Sequence, residues 1–392
     1  MFQFFQKKRI YLDYASATPI LPEALREVGR ISRIYGNPGA IHAEGVEAKK
    51  TLQDSRERIA LLLGVKAREL VFVSGGTEAN NLAILGLSRR MLSQGVALKN
   101  THWITTVIEH PSTLECFAEI ERLGGIVSHV MPDKYGVVHP EVLSRALREE
   151  TVFFSIAWAN HEIGTMQPLS ALAQVIHLHE ELNGTKVLFH VDAGQVPLYH
   201  ASQLHSSGAD IVSIDSGKIY GPRGVGIVYI SNRAELAPII LGGGQERGLR
   251  AGTENISLAA GLATAFEKIC LGRTTEAKRV ENLRDMLAKG LKKFVPGIVL
   301  NGDVSKSLPH ILNISIPDIS SEYFTLSLDS AGIAVATKSA CREGEESLSH
   351  VVEALGGPAW RAKNTIRISL GRGTTARDIT KTVTEFARLL RK

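Results

Sequence analysis

An α/β fold, with a mostly parallel seven-stranded sheet and a smaller α+β unit, is predicted by three observations. Between about residues 69 and 230, seven short apolar runs alternate with helical patterns. That alternation is expected of helices packed around a parallel sheet. Beyond about 258 the order changes to a long helical stretch, two strand candidates, a helix, a last strand and a last helix. A chain of 392 residues also exceeds what one hydrophobic core usually serves, so a large and a small domain are expected.

The strand candidates of the first part are 69–73, 103–107, 125–130, 152–157, 186–191, 211–214 and 225–230. Each is short and apolar, as strands buried on both faces are. Helix-like segments lie between them at 79–93, 113–123, 140–149 and 169–181. In the second part the helical stretch runs to 293, followed by strands at 297–301 and 311–316, a helix at 321–330 and a strand at 364–370. Internal repeats, low-complexity segments and long linkers are absent from the sequence.

Composition narrows the function classes. Apolar residues at 44% and charged residues at 22% describe an ordinary soluble globular protein. The charge balance, 45 − 40 = +5, is spread along the chain. With no basic block, neither nucleic acid nor a membrane surface is the expected partner, whereas an acidic protein partner is compatible. Three cysteines, Cys116, Cys270 and Cys341, are too few and too scattered for a disulfide framework or a zinc ribbon. A reducing compartment fits them. The first residues do not read as a secretory signal, and no apolar run is long enough for a membrane helix, so a cytoplasmic location is expected.

The chemistry gathers at strand ends. One strand closes on His190-Val191-Asp192-Ala193-Gly194-Gln195, and another is followed by Asp215-Ser216-Gly217-Lys218-Ile219-Tyr220-Gly221-Pro222. An Asp and a Lys so placed can hold pyridoxal 5'-phosphate (PLP): the carboxylate keeps the pyridine nitrogen protonated, and the amine makes a Schiff base with the aldehyde. The bland alternative is a surface Lys after a core strand. The stretch Ser74-Gly75-Gly76-Thr77-Glu78 reads as a strand, a turn and a helix start. There, small residues let backbone N–H groups approach a phosphate. Thr77 can equally be a plain helix cap. The turn lacks the Lys of a nucleotide P-loop, which makes nucleotide binding the poorer reading. Ser74, Asp192 and Lys218 all fall at or just after strand ends, where ligands of such sheets sit.

With these pieces in order, the chain resembles the cysteine desulfurases among the class V aminotransferase-like, PLP-dependent enzymes of fold type I. The resemblance covers nearly the whole length. It is carried by Tyr11-Leu12-Asp13-Tyr14-Ala15, Asn37-Pro38 with His42, the Ser-Gly-Gly-Thr-Glu turn, Glu109-His110, Glu162-Ile163-Gly164-Thr165, Asp192-Ala193-Gly194-Gln195 and Lys218. Further along come the run from Gly242 to Asn255, Ser339-Ala340-Cys341, and Ile366-Arg367-Ile368-Ser369. Joint order and spacing make the match specific.

The resemblance implies a large PLP-binding domain at 15–258 and a small domain of 1–14 with 259–392, paired in a homodimer. It implies Lys218 as the Schiff-base residue, Asp192 against the pyridinium nitrogen, and Gln195 at the ring's phenolate oxygen. Gly76 and Thr77 fall to the phosphate, with Ser216 a further cofactor-binding candidate by a small local shift and Thr253 reaching the phosphate of the neighbouring subunit. His110 matches a ring-stacking histidine able to shuttle a proton. Arg367 should clamp the substrate carboxylate with a bidentate fork, Arg372 being the runner-up, and Asn160 stands on the substrate side. Cys341 should take the sulfur of L-cysteine as a persulfide, releasing alanine. It lies in a stretch as long as that of the long-loop desulfurases. Lys338 and Arg342 favour its thiolate, and Glu343, Glu345 and Glu346 oppose it. Cys116 and Cys270 read as structural. An iron–sulfur scaffold or a tRNA-thiolation protein would receive the sulfur. Two alternatives stay open: another class V enzyme, such as an aminotransferase or selenocysteine lyase, and a partner-binding protein with weakened catalysis.

Three positions depart from the family pattern. Gly217 stands where a histidine contacts the cofactor, Asp215 where a serine binds phosphate, and His161 where an asparagine touches the phenolate oxygen. Lys338 also replaces a small residue. A carboxylate near a phosphate is unfavourable by about 4 kcal/mol per charge pair at 4 Å and an effective dielectric of 20. Either Asp215 points away, or Ser216 takes over its contact, or PLP binds weakly.

Overall fold

The computed structural model describes residues 9–201, 203–337 and 348–391. In chain order its elements are β1 (Ile10–Tyr11), α1 (Pro22–Ile31), α2 (Ala43–Leu63), β2 (Leu70–Val73) and α3 (Gly76–Ser93). Next come β3 (His102–Thr106), α4 (Pro111–Arg122), β4 (Ile126–Val130), α5 (Pro140–Ala146), β5 (Thr151–Ala157) and α6 (Leu169–Asn183). Then follow β6 (Leu188–Asp192), β7 (Ile211–Asp215), β8 (Gly226–Ile230), α7 (Ile256–Cys270) and α8 (Arg273–Phe294). The remainder is β9 (Val299–Asn301), β10 (Ile311–Ser315), α9 (Ser321–Ser330), β11 (Ile333–Ala334), α10 (His350–Ala354), α11 (Trp360–Lys363), β12 (Thr365–Ser369) and α12 (Ala376–Leu389).

The central sheet has seven strands in the order β2-β8-β7-β6-β5-β3-β4, with β8 running against the other six. Its inner strands are buried on both faces, whereas β4 at the edge is half open. This is why the inner strands read as unbroken apolar runs. One large core joins α1, α2 and α7 to the sheet and continues, through residues such as Phe266 and Leu287, to Ile366 and Phe386. A second, with Leu82, Trp103, Phe117 and Phe153, lies under α3 and α4.

A separate antiparallel sheet, β12-β10-β9, follows α8. The first strand joins this later part of the chain: β1 pairs in parallel with β11, and Asp13 bridges to Ser369. Residues 10–18 therefore run from the C-terminal sheets to the carboxyl ends of the central strands. There Thr18 accepts a hydrogen bond from the Tyr220 N–H and donates to the Gly217 carbonyl.

The fold is the expected α/β architecture, with local differences. The helix expected at 140–149 stops at Ala146, because Leu147 turns extended. The long helical stretch after 258 breaks at Leu271–Gly272 into α7 and α8. Both α1 and α2 lie before residue 69, where the alternating pattern begins. Their local signals are Pro22 at the first turn of α1 and a left-handed Gly64, φ +69, closing α2.

Candidate active site

A cavity of about 280 Å³ opens at the carboxyl ends of the central strands, lined by Lys218, Asp192, Gln195, His110, His161 and Arg367, among others. Lys218 follows β7 on a one-turn helix, and its Nζ donates to the carbonyls of Ala15 (2.8 Å) and Ser16 (2.6 Å). Burial first, and then the Arg367 charge, push its ammonium below the ordinary lysine range, against the pull of Asp215, Asp13 and Asp192. A neutral, nucleophilic amine is therefore more accessible than on a surface lysine. Two residues on, Tyr220 adopts φ +61. Its N–H is held by Thr18, and its hydroxyl accepts from the Arg372 N–H at 2.8 Å. A left-handed tyrosine persists only where its surroundings fix it this firmly.

Asp192 ends β6. Its Oδ1 accepts from the Gly194 N–H (2.9 Å) and its Oδ2 from the Asn80 amide (2.8 Å). The same Asn80 nitrogen donates to the Ser112 hydroxyl (2.9 Å). Ser112 in turn meets His110 Nδ1 through its hydroxyl (2.8 Å) and its N–H (3.1 Å). An N–H donor fixes Nδ1 as the acceptor, so the neutral imidazole carries its proton on Nε2. Burial lowers the His110 pKa, and Asp192 opposes the shift. Beneath lies Glu109, wholly buried, its carboxyl pushed up to about 8 by burial and then by Asp192, although the Thr106 hydroxyl and the Ala157 N–H oppose this.

On the opposite wall Arg367 projects from β12. Its guanidinium donates to the His161 carbonyl (2.9 Å), to Asp13 (3.0 Å) and to the Ser16 hydroxyl (2.5 Å), while Nε has no hydrogen-bond partner among the described residues. His161 packs edge-on against His110, ring centroids 5.1 Å apart. Neither of its ring nitrogens has a hydrogen-bond partner among the described residues. Burial, then the nearby His110 and Arg367, hold its pKa well below the usual value.

Asp215 points into the cavity. Its Oδ2 accepts from the Gly76 N–H (3.0 Å) at the start of α3, and its Oδ1 from the Gly217 N–H (2.7 Å). Ser216 does not take over: its hydroxyl is buried, off the lining, and so close to Gly221 that a Cβ there would lie 2.1 Å from it. The 216–218 turn directs the Ser216 side chain inward and the Lys218 side chain to the cavity.

The structure brings Gly76, Thr77, His110, His161, Asp192, Gln195, Lys218 and Arg367 onto one cavity, with Gln195 donating to the Ala15 carbonyl at 2.9 Å. Asn160 is elsewhere. Its amide donates to the Ile108 carbonyl and its oxygen caps the N–H groups of Glu162 and Ile163, so it shapes the turn that presents His161. Thr253 is exposed and off the lining. Cys341, with Lys338 and its other charged neighbours, lies outside the described residues. Asn80, Ser112 and Asp13 received no role from the sequence. Asn80 follows Thr77 within the glycine turn motif, and only the fold shows that it faces Asp192.

The pattern of the aminotransferase class-V family matches residues 10–382. The chain belongs to that family. Within the class-V proteins it is similar to Cysteine desulfurase IscS of Dictyoglomus turgidum, 36% identical over 98% of this chain and 95% of that protein. Cysteine desulfurase IscS 1 of Archaeoglobus fulgidus is also 36% identical, over 94% of each. Among solved structures, a NifS-like protein superposes with a TM-score of 0.89 at 33% identity, covering 98% of this chain and 99% of that one. SspA in complex with cysteine gives 0.80 at 30% identity, covering 92% and 98%.

Class-V desulfurases depend on PLP, and the cavity fits that group at its ring end. Lys218 supplies an amine, Asp192 a carboxylate for a pyridinium nitrogen, and His110 an imidazole on the lining. The phosphate end differs, because the Gly76 N–H is already engaged by the Asp215 carboxylate. Among the described residues no cluster of three or more His, Cys, Asp or Glu is placed to hold a metal ion. Nor is any described helix long and apolar enough to cross a membrane.

Proposed function

We propose that this chain is a PLP-dependent cysteine desulfurase that converts L-cysteine to L-alanine and keeps the sulfur as a persulfide on Cys341. The observation that carries the reading is the convergence of Lys218, Asp192, His110 and Arg367 on one cavity in a class-V chain whose relatives are named cysteine desulfurases. When bound, PLP supplies an aldehyde and a ring that accepts electrons.

The chain's own residues divide the remaining work. Arg367 binds the carboxylate of cysteine from the wall of the cavity. Lys218, its amine favoured by burial, takes the α-proton and returns it. His110, neutral near pH 7, offers its Nε2 proton from a ring locked by Ser112. The Cys341 thiolate attacks the substrate sulfur: an S–S bond forms as the C–S bond breaks. The electron pair stays with carbon, which is protonated and leaves as the methyl group of alanine.

The sulfur acceptor is an iron–sulfur scaffold or a tRNA-thiolation protein in this reading, and the enzyme is a cytoplasmic homodimer. An exposed Thr253, off the lining of its own cavity, supports service to a neighbouring copy. The second reading, a desulfurase-like partner-binding protein with weak catalysis, is favoured by Asp215 at the Gly76 N–H. The test is an ultraviolet–visible spectrum before and after L-cysteine, with alanine and sulfide assayed in the same tube. A yellow protein that shifts and yields alanine is expected. A colourless protein, inert with added PLP, overturns the reading in favour of the second.

A further inference from the structure

We propose that Asp215 is an internal anion that competes with the cofactor's phosphate, and so sets the selectivity of this chain among pyridoxal-type aldehydes. The inference rests on reading the cavity as a PLP site and specifies what that site recognises.

The Asp215 carboxylate spans two backbone donors, the N–H of Gly76 at 3.0 Å and that of Gly217 at 2.7 Å. The first belongs to the opening turn of α3, where an anion gains from unpaired N–H groups and the helix dipole. The side chain is thus placed as a bound anion would be. Gly76 leaves room for it: a Cβ there would stand 3.2 Å from Asp215 Oδ2. Ser216, the alternative phosphate donor, is turned into the protein.

Charge counting on the lining agrees. Its cations are Lys218 and Arg367, and its anions Asp192 and Asp215. The wall is balanced before a ligand enters, so a phosphate dianion meets no surplus positive charge and one carboxylate at the donors it would use. A serine at 215 would leave a surplus of one. His161, 7% exposed, also lines the cavity, its Nε2 3.9 Å from a Glu162 carboxylate oxygen.

The prediction concerns the ratio of two affinities, PLP against its dephosphorylated form, pyridoxal. The full-length protein, stripped of cofactor, is titrated with each aldehyde and followed by absorbance, in the native chain and in Asp215→Ser and Asp215→Asn. Asn keeps an acceptor for the Gly217 N–H while removing the charge, and unfolding midpoints confirm that both variants are folded. The expected result is that preference for PLP over pyridoxal rises at least about thirtyfold in both variants, with pyridoxal affinity changed less than about threefold. A preference unchanged in both variants, with PLP bound by all three proteins, overturns the proposal and leaves the desulfurase reading standing. Failure of all three proteins to bind either aldehyde overturns both.

Discussion

The side-chain amide of Asn80 lies 2.8 Å from Oδ2 of Asp192 and holds that carboxylate at the head of a relay. The relay runs on through Ser112 to Nδ1 of His110, so strand β6, helix α3 and the start of α4 fix one another's polar groups. A carboxylate and an imidazole on different strand ends thereby keep a constant relation without touching.

Asn80→Ala is expected to cost about 1–3 kcal/mol of stability, since it leaves Asp192 and Ser112 each short of a buried partner. Urea unfolding of the two proteins checks the magnitude. The same change should shift the pH profile of alanine formation, because the Ser112 hydroxyl that meets His110 Nδ1 loses its anchor while Asp192 loses a donor. An unaltered profile would reduce Asn80 to a packing role.

Lys218→Ala should abolish the absorbance band of the loaded protein and lower turnover by at least about a hundredfold, the span of a lost acid–base group. Cys341→Ala should leave that band intact while stopping persulfide formation. Mass spectrometry of the protein after cysteine treatment reads the added sulfur directly, and a persulfide surviving in Cys341→Ala would relocate the acceptor thiol.

Arg367→Lys retains a positive charge but loses the planar fork that reaches the His161 carbonyl, Asp13 and Ser16 together. KM for cysteine is expected to rise about tenfold to a hundredfold, with kcat falling less. Steady-state kinetics at saturating PLP separates the two constants. A fall confined to kcat would contradict a carboxylate clamp.

Glu109 gives a stability prediction with a definite sign. Its folded-state value, about 8, lies above the ordinary value of 4.5, so the folded protein holds the proton more tightly than the unfolded chain. The resulting stabilisation is complete below about pH 4.5 and is lost as pH rises toward and through about 8. Glu109→Gln removes the proton exchange and keeps an acceptor for Thr106. The variant's unfolding temperature should therefore gain on the native protein's as pH goes from 5 to 8, and parallel curves would show the carboxyl is not buried neutral.

The alternation of apolar runs and helices made the central sheet legible, because buried parallel strands need unbroken apolar sequence and their loops need polar residues. Asp192 and Lys218 were legible for the same reason, each marking a strand end. The pairing of β1 with β11 was not, since two residues on each side carry no periodicity. The turn that Asn160 caps with its amide is not legible, because it depends on the carbonyl of Ile108, 52 positions away. Asp215 was recognisable as unusual from its position alone. Its direction was not, because that depends on the close passage of Gly76 and the inward rotation of Ser216.

Residues 13–16 touch both Lys218 and Arg367, across 202 to 354 positions of sequence. Two of the cavity's walls thus come from segments far apart in the sequence. A chain emerging from the ribosome makes the lysine-bearing strand well before β12 brings the arginine. The segment that cages the lysine has no sheet partner until residues 333–334 exist. Formation of the complete pocket therefore waits on β12 and on closure of a loop of 354 positions. Any ligand held by both walls is therefore bound only once β12 has been made.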